Sequence, residues 1–207
     1  MKNVKLKICG MKETENITEI SALQPDYLGF IFWEKSKRNM TLDVIPELPE
    51  TIKKVGVFVD ASIQEIAAKI NQYQLDVIQL HGNESVIFCR NLKKLGVEVI
   101  KVFSMNSNFN FSLVKEYVLA VDYFLFDTKG KLPGGNGVTF DWNILENYHF
   151  NVPYFLSGGI GTTEIDGLKE FLKSPAAKKC YAIDVNSRFE KKPGIKNKIK
   201  LQKFKKL

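Results

Sequence analysis

An acidic residue at the end of an apolar run is the first candidate for chemistry in this sequence. The run Tyr123–Phe126 is typical of a strand buried on both faces, and it ends abruptly at Asp127. Because burying a carboxylate costs free energy, we expect Asp127 to have a role there. A loop with four glycines between residues 130 and 137 follows, and it could approach or cover a ligand. Thr139 and Asp141 then supply helix-start chemistry, so the pattern indicates a catalytic acid at the end of a parallel strand.

Cys9 and Arg38 are two further candidate groups. Cys9 follows another apolar run and precedes Gly10, so it is either a small buried hydrophobic residue or, with a lowered pKa, a base or nucleophile. Arg38 ends a Lys-Ser-Lys-Arg run after a second strand. That run is either a solvated basic loop or a guanidinium fork for a carboxylate or phosphate.

Two loops near the end of the chain suit a phosphate group. Ser157-Gly158-Gly159-Ile160-Gly161 follows a strand and leads into a helix predicted at Thr163. Glycine N–H groups can approach an anion closely, and a helix N-terminus adds positive potential. A tight turn is the alternative, but three glycines after a strand favour phosphate. Asn186-Ser187-Arg188 follows the last predicted strand, and barrels commonly build phosphate sites from their last two loops.

The two histidines give a weaker signal. His81 follows a short apolar run and is more often a structural hydrogen-bonding residue than a catalyst, while Gln79 is expected to be a neutral lining residue. His149 is the other histidine of the sequence, so there is no His cluster of the kind that binds a metal. We therefore predict acid–base chemistry with no metal and no cofactor.

Short apolar runs alternate with amphipathic segments along the whole chain, which predicts alternating strands and helices. Ser62 and Glu65 form a capping-box pattern at the start of one helix. The eight predicted strands are Val4–Ile8, Tyr27–Phe32, Val55–Val59, Val77–Leu80, Val97–Phe103, Tyr123–Phe126, Pro153–Leu156 and Tyr181–Val185. The predicted helices are Glu13–Ala22, Leu42–Pro49, Ser62–Gln72, Glu84–Leu95, Phe111–Val118, Asp141–Tyr148, Thr163–Lys173 and one within Gly194–Leu207.

Eight βα units without a change in composition predict a single closed (β/α)₈ TIM barrel over residues 1–207, and a compact one. An open doubly wound sheet is the alternative, but no glycine-rich dinucleotide motif follows the first strand. In a barrel, residues just beyond the carboxyl ends of the strands line one mouth. The candidate residues occupy such positions, so we expect them to share one site.

The net charge of +7 is concentrated in one segment. Residues 191–207 hold eight lysines and no acid, and without them the chain has 22 basic and 23 acidic residues. A solvated C-terminal helix is therefore favoured over a nucleic-acid-binding tail. Three cysteines in an odd count fit a reducing cytoplasm, and no apolar run approaches the ~20 residues of a membrane helix. The sequence does not predict the oligomeric state.

Taken in order, these motifs resemble the phosphoribosylanthranilate isomerase family of tryptophan biosynthesis. The resemblance covers nearly the whole chain, and the order and spacing of its pieces are highly specific. The matching pieces are Lys7–Gly10, Gly29–Phe32 with Lys35–Arg38, Val55–Val59, Gln79–Gly82, Phe126–Thr128, Gly134-Gly135 through Phe140–Trp142, Leu156–Gly159, Asp184-Val185, Glu190 and Pro193-Gly194.

The resemblance implies an Amadori rearrangement of N-(5′-phosphoribosyl)anthranilate. It implies that Asp127 is the general acid that opens the ribose ring and that Cys9 is the base that removes the C2′ proton. Asp127 must then carry a proton near neutral pH, and the pKa of the Cys9 thiol must be lowered. Arg38 should hold the anthranilate carboxylate. Gly158, Gly159, Asn186 and Ser187 should hold the phosphate, with Gln79, His81 and Asp184 as possible lining residues.

One position departs from the family pattern, which commonly has a small polar pair and a glycine after the eighth strand. Here the third residue is Arg188, which should keep a negative φ. Its side chain either points into the mouth and adds charge near the phosphate, or points away and pairs with an acid such as Glu190, and the second is favoured because backbone N–H groups already supply a phosphate site. The alternatives kept open are another sugar-phosphate isomerase or epimerase barrel and, resting on the lysine tail alone, a nucleic-acid-binding protein.

Overall fold

The computed structural model describes residues 4–128 and 139–206, and within them eight parallel strands close into a barrel. Neighbours along the chain are neighbours in the barrel, and the last strand pairs with the first. The predicted (β/α)₈ TIM barrel is therefore confirmed, and the open sheet is excluded. The strands are β1 (Lys5–Cys9), β2 (Tyr27–Ile31), β3 (Lys53–Phe58), β4 (Val77–Leu80), β5 (Glu98–Met105), β6 (Tyr123–Thr128), β7 (Tyr154–Leu156) and β8 (Cys180–Val185).

Helices follow most of the strands and pack on the outside of the barrel. Short 3₁₀ helices at Trp142–Asn147, Pro175–Lys179 and Ser187–Phe189 complete the connections. The glycine-rich loop predicted between residues 130 and 137 lies outside the described residues. The α-helices are α1 (Thr14–Ser21), α2 (Ile63–Tyr73), α3 (Val86–Lys93), α4 (Ser112–Lys115), α5 (Ile165–Lys173) and α6 (Lys198–Lys205).

Local sequence signals explain how two of these helices begin. The capping box predicted at the start of α2 is present, with the Ser62 hydroxyl accepting from Glu65 N and the Glu65 carboxylate accepting from Ser62 N. Asp141 caps the 3₁₀ helix that follows β6, because its side chain accepts from Asn143 N at 3.0 Å. The helix-start chemistry assigned to these residues is confirmed.

The helix predicted at Leu42–Pro49 is wrong. Residues 42–49 are all described, and they form an irregular connection between β2 and β3. Pro46 has no N–H to donate and disfavours helical geometry at Ile45, and Pro49 repeats the effect three residues later. Ile45 is nevertheless buried, and the Leu42 carbonyl accepts from the Tyr73 hydroxyl of α2 at 2.8 Å, so packing and hydrogen bonding hold the segment to the barrel.

The core has two layers because strand side chains alternate between the two faces. Val55 and Val57 of β3 point into the barrel, where they pack with residues such as Ile100 and Leu125 from other strands. The alternate side chains, such as Phe58, pack against the surrounding helices. On the helices, the buried side chains recur at about 3.6-residue spacing, whereas on the strands every second side chain points to the same face.

Aromatic rings fill the end of the barrel at which the strands begin. Tyr123 and Tyr181 stack with ring centroids 4.8 Å apart, and Phe155 packs edge-on against Tyr123. The hydroxyls of Tyr27 and Tyr181 lie 3.2 Å apart. Because these rings occupy the amino-terminal end, polar groups that need access to a small molecule belong at the other end.

The C-terminal segment differs in part from the predicted solvated helix. After β8 the chain forms an antiparallel pair, β9 (Glu190–Lys192) and β10 (Ile195–Lys196), before α6 begins. Most lysines of the segment are exposed, as expected, but Lys196 is completely buried. Across residues 4–128 and 139–206, the structure contains no helix with the length and hydropathy needed to cross a bilayer.

Candidate active site

One pocket at the carboxyl ends of the strands gathers the residues singled out from the sequence. Strands β1, β4, β6 and β8 each contribute a polar side chain to it, and the loop after β7 contributes a glycine turn. Ile31, Trp33 and Val57 add an apolar wall. All ten candidate residues line this pocket: Cys9, Arg38, Gln79, His81, Asp127, Gly158, Gly159, Asp184, Asn186 and Ser187.

Cys9 lies beside a buried ion pair inside the barrel. Lys7 and Cys9 are two residues apart on β1, so both side chains point to the same interior face. The Lys7 ammonium contacts Asp184 Oδ1 at 3.0 Å, and β1 and β8 place the two residues in register. Burial by itself lowers the pKa of the Lys7 ammonium, but the Asp184 carboxylate and the Cys9 thiol outweigh burial and raise it. Lys7 is therefore a charged neighbour of the thiol, although sequence reasoning gave it no role.

The expected lowering of the Cys9 pKa is wrong for this structure. Burial raises the pKa of the Cys9 thiol above its ordinary value, while the ammonium groups of Lys7 and Lys196 oppose the rise. A thiolate in an enclosed site loses more hydration than these two cations return. The thiol is therefore the main form at neutral pH in this state of the pocket.

Asp127 is buried and faces His81 across the pocket. Its Oδ2 lies 3.5 Å from His81 Nε2. The amide nitrogen of Gln79 lies 3.2 Å from His81 Nδ1. An amide NH₂ can only donate, so this contact requires His81 Nδ1 to accept, and a neutral ring then carries its proton on Nε2, which faces the Asp127 carboxyl without a hydrogen bond. The contact with Gln79 agrees with the expectation that His81 is a structural hydrogen-bonding residue, and Gln79 lines the pocket as expected.

The loop that carries His81 is held by a second buried ion pair. Lys101 of β5 contacts the Glu84 carboxylate at 2.9 Å and donates to the Gly82 carbonyl at 2.7 Å. Glu84 in turn accepts from Gly82 N at 3.1 Å. These contacts fix the backbone next to His81, so its ring is positioned by the fold.

Arg38 is oriented by the carboxylate of Glu190, which the sequence analysis paired with Arg188 instead. Arg38 Nε donates to Glu190 Oε1 at 2.8 Å, and Arg38 Nη2 donates to Glu190 Oε2 at 2.7 Å. Lys196 Nζ donates to Glu190 Oε1 at 2.7 Å. The expected pairing of Glu190 with Arg188 is therefore corrected, because Glu190 is bound by Arg38 and Lys196. Two of the five N–H donors of Arg38 are used in this fork, and the others remain for a ligand.

Gly10 allows Arg38 and Asn186 to meet beside Cys9. Its φ is +78°, which glycine adopts without strain. A Cβ there would lie 2.8 Å from both Arg38 Cδ and Asn186 Oδ1. Any side chain at this position would separate the two groups, so the glycine after the cysteine has a packing reason.

The glycine turn after β7 has left-handed backbone at Gly158 and Gly159, with φ of +94° and +67°. A Cβ on Gly158 would collide with the hydroxyl of Thr128 and lie 2.5 Å from its backbone nitrogen, so the turn is pressed against the end of β6. Helix α5 begins at Ile165 rather than at the predicted Thr163, so the observed N-terminus of the helix lies farther from the glycine turn than expected.

Arg188 lies in the 3₁₀ helix Ser187–Phe189 and lines the pocket with an exposed side chain. The backbone φ of Arg188 is not positive, as predicted. Its Cβ and Cγ are the atoms that a side chain at Gly161 would meet. Arg188 therefore lies at the pocket beside the loops assigned to phosphate, and the direction of its guanidinium stays a prediction.

The residues that sequence reasoning missed are all charged and buried. Lys7 interrupts an apolar strand two residues before Cys9, and that spacing was a signal that it shares the interior face. Glu190 and Lys196 gave no local signal, because the β9–β10 pair brings them together behind Arg38. The contact of Glu190 with Arg38 joins positions 152 residues apart, whereas Lys196 and Asn186 are only 10 residues apart.

The position of the polar groups defines the class of protein. Enzymes with this fold build their sites at the carboxyl ends of the strands, and here that end holds the ionisable side chains while aromatic rings fill the other. The chain is a (β/α)₈-barrel enzyme with its site at that mouth.

The particular family follows from comparison with known proteins. Residues 6–206 match the sequence model of N-(5′-phosphoribosyl)anthranilate (PRA) isomerase, and the chain belongs to this family. An N-(5′-phosphoribosyl)anthranilate isomerase from Parabacteroides distasonis is 42% identical over 207 residues, covering 96% of this chain and 90% of that relative.

Two solved structures agree with this family. The phosphoribosyl anthranilate isomerase from Thermotoga maritima superimposes with a TM-score of 0.83 at 29% identity, covering 98% of this chain and 97% of that one. A phosphoribosyl anthranilate isomerase in complex with reduced 1-(o-carboxyphenylamino)-1-deoxyribulose 5-phosphate has a TM-score of 0.80 at 28% identity, covering 97% and 96%.

Proposed function

We propose that this protein catalyses the Amadori rearrangement of N-(5′-phosphoribosyl)anthranilate to 1-(2-carboxyphenylamino)-1-deoxyribulose 5-phosphate in tryptophan biosynthesis. The observation that carries the proposal is that a buried thiol and a buried carboxyl line one pocket, Cys9 from β1 and Asp127 from β6. An aldose–ketose rearrangement needs one acid and one base within reach of the same sugar. Membership of the isomerase family supports this reading of the pair.

Asp127 acts first, as the general acid. Its carboxyl gives a proton to the ribose ring oxygen, the C1′–O bond breaks, and the amine nitrogen supplies the electrons that form the Schiff base. The resulting Asp127 carboxylate faces the Nε2–H of His81, whose tautomer Gln79 maintains. We assign His81 and Gln79 to holding Asp127 rather than to proton transfer.

Cys9 acts second, as the general base. It takes the C2′ proton, and the electrons of the broken C–H bond move toward the Schiff-base nitrogen to give the enolamine, which tautomerises to the ketone. Because burial raises the pKa of the Cys9 thiol even with the Lys7 ammonium beside it, the thiolate is the minor form in the free pocket. The protonated Schiff base that the first step forms carries a positive charge, which would favour the thiolate. Asp184 holds Lys7 in place for this role.

The two anionic ends of the substrate are assigned to different loops of the pocket. Arg38 would receive the anthranilate carboxylate with the donors that Glu190 does not use. Ile31, Trp33 and Val57 offer an apolar wall for the aromatic ring. The phosphate would bind at the turn of Gly158 and Gly159 together with Asn186 and Ser187, as the resemblance implies.

A growth experiment tests the function in the cell. Expression of this chain in a bacterium that lacks its own isomerase should restore growth without tryptophan, and the Asp127→Asn variant should not. We also propose a cytoplasmic location, because the three cysteines form no disulfide, which fits a reducing compartment. Wild-type protein that accumulates in folded form but leaves the strain auxotrophic would contradict the proposal.

Replacing Arg38 should separate the two anion sites. Arg38→Ala should weaken binding of anthranilate-bearing ligands by ~1.5–3 kcal/mol, the range for a hydrogen bond to a charged group. Inorganic phosphate should lose much less affinity. Calorimetric titration of both ligands measures the difference, with Arg90→Ala on the exposed side of α3 as the control. Equal losses for the two ligands would assign Arg38 to the phosphate.

Replacing Arg188 should weaken substrate binding in a salt-dependent way. Arg188 lines the pocket beside Gly161, so Arg188→Ala should raise KM by about 3- to 10-fold at low ionic strength. Because the guanidinium is exposed, added salt should reduce the difference between variant and wild type. A KM that stays within the ~0.5 kcal/mol typical of a surface substitution would show that the arginine does not act on the substrate.

A further inference from the structure

Lys196 is a buried charge whose effect on substrate binding the mechanism above does not include. Its side chain is 0% exposed, and its ammonium donates to Glu190 Oε1 at 2.7 Å and to Asn186 Oδ1 at 2.6 Å. Its backbone is fixed by Asn16, which accepts from Lys196 N at 2.7 Å and donates to Lys196 O at 3.0 Å. These contacts allow the ammonium little freedom to leave the site.

Lys196 stands behind Arg38 rather than in the pocket. Neither Lys196 nor Glu190 is among the described residues that line the cavity, whereas Arg38 and Asn186 are. Glu190 lies between the two cations, with Arg38 on both carboxylate oxygens and Lys196 on one of them. Lys196 can therefore reach a bound molecule only through Glu190 or Asn186.

The charges of this cluster can be counted. Burial favours the neutral acid, but the bonds from Arg38 and Lys196 outweigh burial and lower the pKa of Glu190, so it is a carboxylate. Burial lowers the pKa of the Lys196 ammonium, and the adjacent Glu190 carboxylate opposes that change. The bonds that Lys196 Nζ donates to Glu190 Oε1 at 2.7 Å and to Asn186 Oδ1 at 2.6 Å are those of an ammonium paired with a carboxylate. Two cations and one anion leave one positive charge at this end of the pocket.

The count decides whether Arg38 can attract an anion. An arginine in a two-point fork with a glutamate is, as a pair, neutral, and a neutral pair has little attraction for a further carboxylate. The second cation behind the glutamate restores the positive charge. In a site that is mostly buried, that charge acts through a low effective dielectric and is weakly screened by salt.

We propose that Lys196 is a positioning and specificity residue that offsets the charge of Glu190 and so lets Arg38 bind the carboxylate of the substrate. The inference rests on the proposed function, because it names the substrate group that Arg38 holds. Glu190 sets the orientation of the guanidinium, and Lys196 keeps that orientation compatible with an anionic ligand.

Four proteins test the charge count: Lys196→Met, Glu190→Gln, the double variant, and the control Lys192→Met on the exposed face of β9. The probe is reduced 1-(o-carboxyphenylamino)-1-deoxyribulose 5-phosphate, titrated calorimetrically so that affinity is read without turnover. Lys196→Met leaves the cluster neutral and should weaken binding ~10- to 100-fold. The double variant has one cation and no anion, so its affinity should return to within about 3-fold of wild type. Lys192→Met should bind as wild type does.

A purely structural role predicts a different order. Lys196 would then be needed for packing and for its bond to Asn186, and the double variant would bind no better than Lys196→Met. That result, or a Lys196→Met variant that binds as tightly as wild type, would overturn the proposal. Should Lys196→Met not fold, the double variant decides alone, since a tenfold loss of affinity there contradicts the charge count. Turnover by the wild-type preparation is measured beside it, so a failure of the proposed function is seen separately.

Discussion

Asp127→Asn should lower kcat by ~10²–10⁴-fold, the usual contribution of one acid or base. Asparagine keeps the shape of the side chain and can still face His81, but its amide cannot give a proton to the ribose ring oxygen. Ring opening is the step that should fail, so the loss should appear in kcat while affinity for the reduced product analogue is retained. Steady-state kinetics and a titration of that analogue measure the two effects separately.

A control substitution at an exposed aspartate shows whether the loss of kcat is specific to Asp127. Asp43→Asn changes an exposed carboxylate on the connection between β2 and β3, and it should leave kcat within about twofold of wild type. Circular dichroism should show the same fold for both variants. Asp127→Asn with nearly full kcat would remove the acid from the mechanism.

Cys9→Ala should produce a loss of similar size, ~10²–10⁴-fold in kcat, because no other group is assigned to the C2′ proton. The substitution removes one buried sulfur and leaves Lys7 and Asp184 paired, so the fold should persist. Cys89→Ala is the matched control, since Cys89 is also fully buried but lies on α3 away from the pocket. It should cost stability of about 1 kcal/mol and leave kcat unchanged.

The pH dependence of kcat/KM gives a second test of the role of Cys9. The kcat/KM profile should be bell-shaped, because one group must give a proton and another must take one. Burial raises the pKa of the Cys9 thiol, so the thiolate, and with it the activity, should decline as the pH falls below that pKa. The limb that comes from the thiol should be missing from the residual activity of Cys9→Ala. If Cys9→Ala kept this limb of the profile at the same pH, the limb would come from the titration of another group.

The parts of the fold that could be predicted from the sequence depend on local repeats. Apolar runs such as Tyr123–Phe126 predicted the strands, and the end-to-end order of strands and helices predicted a barrel. Once the strands form a closed parallel barrel, their carboxyl ends meet, so Cys9, Asp127 and Asn186 had to share one mouth. The irregular segment at residues 42–49 was predicted as a helix because its apolar spacing was given more weight than its prolines.

The parts that could not be predicted depend on contacts between distant residues. The fork of Glu190 on Arg38 joins positions 152 residues apart, and no local pattern selects that pairing over one with Arg188. The burial of Lys196 within a run of exposed lysines depends on the β9–β10 pair, which has too few residues to give a periodic signal. The raised pKa of Cys9 likewise comes from its enclosure, which a sequence does not measure.

The most direct test of the account is turnover of N-(5′-phosphoribosyl)anthranilate by the purified protein. Loss of substrate fluorescence gives the rate, and carbon-13 NMR of the product identifies the carbon at C2′. The account predicts that fluorescence is lost only when enzyme is present, that C2′ becomes a ketone, and that Asp127→Asn slows both changes at least ~100-fold. Folded wild-type protein that leaves the substrate intact, or that yields a product without the C2′ ketone, would contradict it.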